Sequence, residues 1–235
     1  MPHPVPPKLV RRRAEFLIDN LHGYLDFGES RIEQALEEER EEIKSIDQAL
    51  VDTYGEDIPT DADVERLQEL WGCPDPDAPW QPFSPLHSIF PRYLRYSFVQ
   101  LTALVFESEL LVLCLSIAEN LAVPPPESGG KSSAAKKARA FLTTHLGPAS
   151  IDAVAWDRLQ YMLKIRNCIA DVGGRVDLST DRDHIEALIA RGIGLRVNEE
   201  ERPGVWLLTI DREYCESIVA GVASLFTSIC VSAGY

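Results

Sequence analysis

The sequence predicts a mainly α-helical fold with one small β-hairpin near the C-terminus. Three observations lead there: long stretches with helical apolar spacing, only two short alternating stretches, and proline- or glycine-rich punctuation between the elements. With 235 residues and 45% apolar content, the chain can bury a proper core as one domain or as a domain with an appendage.

Residues 1–7 form a Pro-rich tail. A helical pattern then runs from about Lys8 to Thr53, with apolar positions at Ile32, Leu36, Ile43, Ile46 and Leu50 giving one heptad-type stripe. The Glu-rich run Glu37–Glu42 flanks it. Such a run is a solvated helix face or a coiled arm for a protein partner, and Gly23 and Gly28 argue against one unbroken rod. A short helix is expected over Asp63–Trp71. Gly72 to Pro85 holds five prolines in fourteen residues, which excludes regular structure. Residues 1–83 are therefore read as an arm with a Pro-rich loop, and 84–235 as the main domain.

The next helix, roughly Arg92 to Leu121, is apolar nearly all round and belongs at the centre of the core. Val123 to Ser133 is a loop. Its Gly-Gly-Lys-Ser-Ser lacks the glycine spacing and the preceding strand of a phosphate loop. A short basic helix follows over Ala134–His145. Ser150 is a candidate cap for a helix running to about Ala170, which Gly173 and Gly174 stop. Asp181–Arg191 reads as one more short helix. Ile193–Val197 and Val205–Ile210 alternate around a Pro203-Gly204 turn and predict the hairpin. A helix from Asp211 to about Ser232 closes the chain.

The net charge of −14 argues against a general nucleic-acid coat, but it is uneven. Glu29 to Glu69 carries 15 acidic and 4 basic residues, whereas Lys131 to Arg175 carries 8 basic and 3 acidic. The basic stretch can receive a phosphate. Five scattered cysteines, without Cys-x-x-Cys or paired histidine spacing, suggest reduced thiols, a cytoplasmic protein and no structural metal. No pattern calls for a cofactor. The first residues lack a signal-peptide pattern. Glu107 and Glu109 lie inside the most apolar stretch, where each would cost roughly 2.5–3.5 kcal/mol in a bilayer, so a buried helix is expected and not a membrane span.

The chemistry-bearing segment is Leu159 to Gly174, an apolar helix that ends in Arg166-Asn167-Cys168-Ile169-Ala170-Asp171. It resembles the Arg-Asn-x-x-x-His signature of HEPN-superfamily ribonucleases, with Asp171 where that family carries histidine. The segment from Phe90 to Ser97, followed by Leu104 to Cys114 with its Glu107-Ser108-Glu109-Leu110, is similar to the helix that precedes the motif in bacterial HEPN-like proteins. The likeness covers about residues 84–232. It implies an up-and-down helical bundle, a homodimer joined through the motif helix with a composite cleft, metal-independent cleavage of RNA, and a toxin–antitoxin or phage-defence setting.

Cleavage of this kind needs a base for the 2′-hydroxyl, an acid for the leaving 5′-oxygen, and a cation for the phosphorane. In the resemblance Arg166 grips phosphate, Asn167 orients it, and residue 171 moves the proton. Aspartate has a reference pKa near 3.9, so it is ionised at neutral pH, a poor acid, and repels phosphate. It also opposes the helix dipole by about 0.3–1 kcal/mol. Pairing of Asp171 with Arg166 is expected, and with it an impaired site.

Glu107 is either hydrogen-bonded beside the site or a core carboxylate paired with arginine. Lys136, Lys137 and Arg139, with Lys164, are candidate RNA contacts, although the first three read more readily as solvated surface than as an RNA patch. His3, His87, His145 and His184 match no ligand spacing. Trp156, Leu159, Leu163 and Cys168 offer an apolar strip for a core or a dimer interface. The alternative function is a non-catalytic, antitoxin-like interaction module that binds a partner through the acidic arm.

Overall fold

The computed structural model describes residues 7–54, 85–127, 133–198 and 204–235. The helix expected over Asp63–Trp71, most of the Pro-rich loop, Cys73 and the boundary at residues 83 and 84 lie outside these residues. Two compact units emerge: Met1–Gly28 with Arg92–Tyr235, and Glu29–Pro91. The elements, in chain order, are α1 (Pro7–Tyr54), α2 (Pro85–Leu121), α3 (Ala134–Leu146), α4 (Ala153–Val172), α5 (Arg182–Ile189), β1 (Leu195–Asn198), β2 (Leu207–Ile210) and α6 (Arg212–Ser232). The described chain is thus mainly helical, with one antiparallel hairpin in which Leu195 faces Ile210 and Val197 faces Leu208.

Two helices differ from the sequence expectation. Helix α1 runs unbroken through Gly23 and Gly28. Gly28 has a reason to be there, because a Cβ on it would meet Leu94 Cδ1 at 2.6 Å. The glycine lets α1 lie close against α2, which outweighs a propensity cost of about 1 kcal/mol. Helix α2 begins at Pro85 and not at Arg92, with Pro91 inside it. Proline at a first helical position leaves no donor wasted, whereas Pro91 looked from the sequence like a boundary.

In the larger unit the core is built around α2, α4 and α6. Phe98, Phe106, Leu110, Cys114 and Ile117 of α2 are buried, with Trp156, Leu159, Met162 and Ile165 of α4 and Ile218, Val222, Leu225 and Ile229 of α6. Phe106 sits edge-on to Trp156 at 6.4 Å and tilted to Phe226 at 6.3 Å, so one residue of each of the three helices meets there. Each fully buried leucine or isoleucine contributes about 1.5–3 kcal/mol. From α1, Leu21 and Leu25 enter the same core, and Arg13 grips Glu109 with two bonds of 2.8 Å. Cys114, Cys168, Cys215 and Cys230 are buried; burial pushes the Cys114 thiol up to about 12.

By length and composition Ile89–Leu121 and Arg212–Ser232 could each cross a membrane, and 56% and 50% of their most apolar windows are buried in the protein. In the smaller unit, the described part of α1 keeps its charges in local pairs, Arg40 with Glu37 at 2.9 Å and Lys44 with Glu41 at 2.6 Å. Both pairs are well exposed, as on a solvated face.

Helix α4 is capped by Asp152, not by Ser150. The Asp152 carboxylate accepts from the amides of Val154 at 3.0 Å and Ala155 at 3.1 Å, and from the Ser224 hydroxyl at 2.8 Å. Ser150 sits one turn earlier, in a short 3-10 turn, with its hydroxyl donating to Gly147 O. The amide bond from Ala155, then the Ser224 hydroxyl, hold the Asp152 carboxyl below its usual range. A depressed folded-state pKa adds stability above the unfolded value of about 3.9, and that stability is lost as pH falls through the lower folded value. Asp152→Asn should keep the cap near neutrality and show a weaker loss of stability below about pH 4. Urea midpoints measured from pH 6 to pH 2 check this; an unchanged acid limb would count against it.

Candidate functional site

The end of α4 is fixed by backbone geometry. Gly173 stands at φ +65° and Gly174 at φ +84°, the left-handed region that glycine enters freely. Their amides bond back to Ile169 O and Cys168 O, both at 3.1 Å. From there the chain is stitched to the hairpin: Leu208 N donates to Gly174 O and Val176 N to Trp206 O, each at 2.9 Å. The Tyr96 hydroxyl of α2 donates to Leu208 O and lies directly over Gly174, where a Cβ would meet it at 2.1 Å. Helix α2, the stop of α4 and β2 therefore form one joint, which sets where the last turn of α4 points.

Arg166 lies in that helix about two turns before the stop. Its Nη2 donates to Glu107 Oε2 of α2 at 3.3 Å, and the two side chains keep 33% and 26% of their surface open. Its Nε is buried and has no partner. One long contact leaves most of the guanidinium fork uncommitted. Asn167 beside it is exposed.

Asp171 is exposed on the last turn and, among the described residues, makes no ion pair. The expected pairing with Arg166 is corrected accordingly. Five residues at 100° each place Asp171 about 140° around the helix from Arg166, and Glu107 takes the arginine instead. Glu107 is thus hydrogen-bonded beside the candidate site and paired with arginine, but at 26% exposure it is not a core carboxylate.

The basic candidates do not converge on Arg166. Lys164 faces Asp181 at 3.6 Å. Arg139 of α3 lies over the Trp156 ring at 5.2 Å, while Lys136 is exposed and Lys137 half-buried on the same helix. Arg175 turns to Asp177 at 2.6 Å and holds that carboxyl below its usual range. His184 is exposed and 3.8 Å from Asp181, and His145 packs on Phe141. No three His, Cys, Asp or Glu side chains gather as a metal would need, among the described residues.

The apolar strip of α4 proves to be the protein's own core. Trp156, Leu159, Leu163 and Cys168 are 1%, 0%, 9% and 2% exposed, so none is left to meet a second copy. The outward side of α4 carries Val154, Asp157, Asn167, Ala170 and Asp171 instead.

Two residues escaped the sequence reading. Glu109 is buried and clasped by Arg13, although the two stand 96 positions apart. Tyr96 gave no sign beyond its place in an apolar helix that it would cover the glycine stop. Set against known protein families, curated proteins and solved structures, the chain finds no match.

Proposed function

We propose that the chain is a HEPN-type, metal-independent endoribonuclease-like protein that works as a homodimer and is weakened by Asp171 at the motif-histidine position. The observation that carries the reading is the state of Arg166. It is a half-open guanidinium on a helix rigidly stopped at Gly173, held by a single 3.3 Å contact and with its Nε unsatisfied. A buried donor without a partner is costly, and a phosphate oxygen is the strong acceptor such a fork accommodates.

In this reading Arg166 turns from Glu107 to the scissile phosphate and balances the charge of the phosphorane. Glu107 keeps the guanidinium in place between turnovers. The exposed Asn167 amide contacts phosphate or ribose. Residue 171 is the proton-transfer position, where a carboxylate is a weaker base than imidazole and brings no proton of its own for the leaving oxygen. Arg166 and residue 171 diverge around one helix, so the working pair draws on two chains. The test is a metal-free RNA cleavage assay of the protein beside Asp171→His.

A further inference from the structure

We propose that the outward face of α2 is a self-association surface on which a second copy of this chain docks antiparallel. Along α2 the outward positions Leu101, Leu104, Ser108, Leu111 and Leu115 follow one another at steps of 3, 4, 3 and 4, the spacing of a helix–helix seam. The four leucines are 36%, 65%, 45% and 42% exposed, and Tyr93, 60% exposed, extends the face by two turns. Ser97 and Gln100 complete it; none of these positions carries a charge. The serine hydroxyls are already spent, Ser97 on Leu94 O at 2.7 Å and Ser108 on Val105 O at 3.1 Å, so burying them strands no donor.

The area matches what a dimer needs. The leucines together expose about two whole side chains, and with Tyr93 the patch reaches on the order of 300–600 Å², the size of the largest apolar patch on an ordinary monomer, which is often functional. A standard interface takes about 800 Å² per partner, so this patch would be its apolar centre inside a polar rim. The rim is present. Glu107 with Arg166 borders one side, and Arg13 with Glu109 the side towards α1.

The occupant follows from the spacing. Measured from Ser108, the leucines lie at −7, −4, +3 and +7, which reads nearly the same in either direction. An antiparallel pair centred there sets Leu101 against Leu115 and Leu104 against Leu111 of the other copy, a self-complementary contact of the kind a two-fold axis requires. That axis stands perpendicular to both helices, so the α4 side of one α2 faces the same way as the α4 side of the other. Glu107 is one residue from the centre. The two Glu107–Arg166 pairs are therefore brought to the same end of the axis, one on either side of it. The leucine face is present whether or not the protein cleaves RNA, and a dimer formed on it joins through α2 and not through α4.

Sedimentation equilibrium on the full chain tests this. The protein should be a dimer at micromolar concentration, and Leu104→Glu with Leu111→Glu should weaken association at least about 100-fold at unchanged helicity and thermal midpoint. Val154→Glu, on the outward side of α4, should leave the dimer intact. As a second readout, Ser108→Cys should oxidise to a covalent dimer, whereas Leu101→Cys should do so only when mixed with Leu115→Cys. A wild-type protein that stays monomeric well above micromolar concentration, a dimer broken by Val154→Glu instead, or a monomer that binds neutral lipid vesicles through α2 would overturn the proposal. A dimer whose Asp171→His form cleaves no RNA would keep this interface and remove the nuclease reading.

Discussion

Asp171→His should raise metal-free cleavage of RNA by about 10²–10⁴-fold, the usual worth of a positioned acid–base group. Histidine titrates near neutrality, so it can take the 2′-hydroxyl proton in one step and return it to the leaving oxygen in the next. The swap is structurally mild. Residue 171 is exposed on the last turn of α4 and makes no ion pair among the described residues, so stability should change by no more than about 0.5 kcal/mol. A gain would then report chemistry and not folding. Removing the charge in the same background, Arg166→Ala, should cost about 10²–10³-fold. Arg166→Lys should fall between, because lysine keeps the charge and loses the fork. Cleavage that needs added Mg²⁺, or an Asp171→His protein as inert as its parent, would sink the nuclease reading and favour the interaction module. Rates per chain should also drop on dilution into the monomer range, since Arg166 and residue 171 point apart on one helix.

Gly174→Ala should be strongly destabilising, because it joins a strained backbone to a close contact. Holding the left-handed region costs a side-chain-bearing residue about 1–2 kcal/mol, and the new Cβ would lie 2.1 Å from the Tyr96 hydroxyl oxygen. Overpacking adds about 1–3 kcal/mol, so a loss of about 2–5 kcal/mol is expected, which lowers the thermal midpoint by roughly 5–15 °C in a unit of this size. The neighbouring Gly173→Ala meets nothing within 4 Å and should cost only the conformational part. Tyr96→Phe should relieve part of the Gly174→Ala penalty, and a double-mutant cycle by thermal melts would measure the coupling. Equal effects at the two glycines would show that Tyr96 does not bear on the stop.

The periodicity that decides helices was legible, and so were the hairpin and the glycine stop, because each rests on local rules. Boundaries governed by competing local signals were not. Pro91 masked a helix that already starts at Pro85, and Ser150 stood where a cap is plausible while Asp152 makes the bonds. Contacts across the chain were least legible. The sequence brought Glu107 and Arg166 under suspicion one at a time, but only the packing of α2 on α4 joins them. The apolar strip of α4 and the leucine face of α2 look alike in sequence. Which of them the core consumes depends on where the other helices lie, and that is a tertiary fact.

The larger unit is discontinuous in sequence, and this governs the order in which it can form. Residues 7–28 are synthesised first but have their partners in Leu94, Ser97 and Glu109, which follow only after a further 63 residues of the other unit. Until then Leu21 and Leu25 have no core to enter. Folding of this unit is therefore post hoc and not vectorial, with a long loop to close before the Arg13–Glu109 clasp can act. The same arrangement makes the junction a natural grafting point. Gly28 and Leu94 touch, so the intervening stretch leaves and re-enters at nearly one place, where a short linker would join the two ends without stretching the chain.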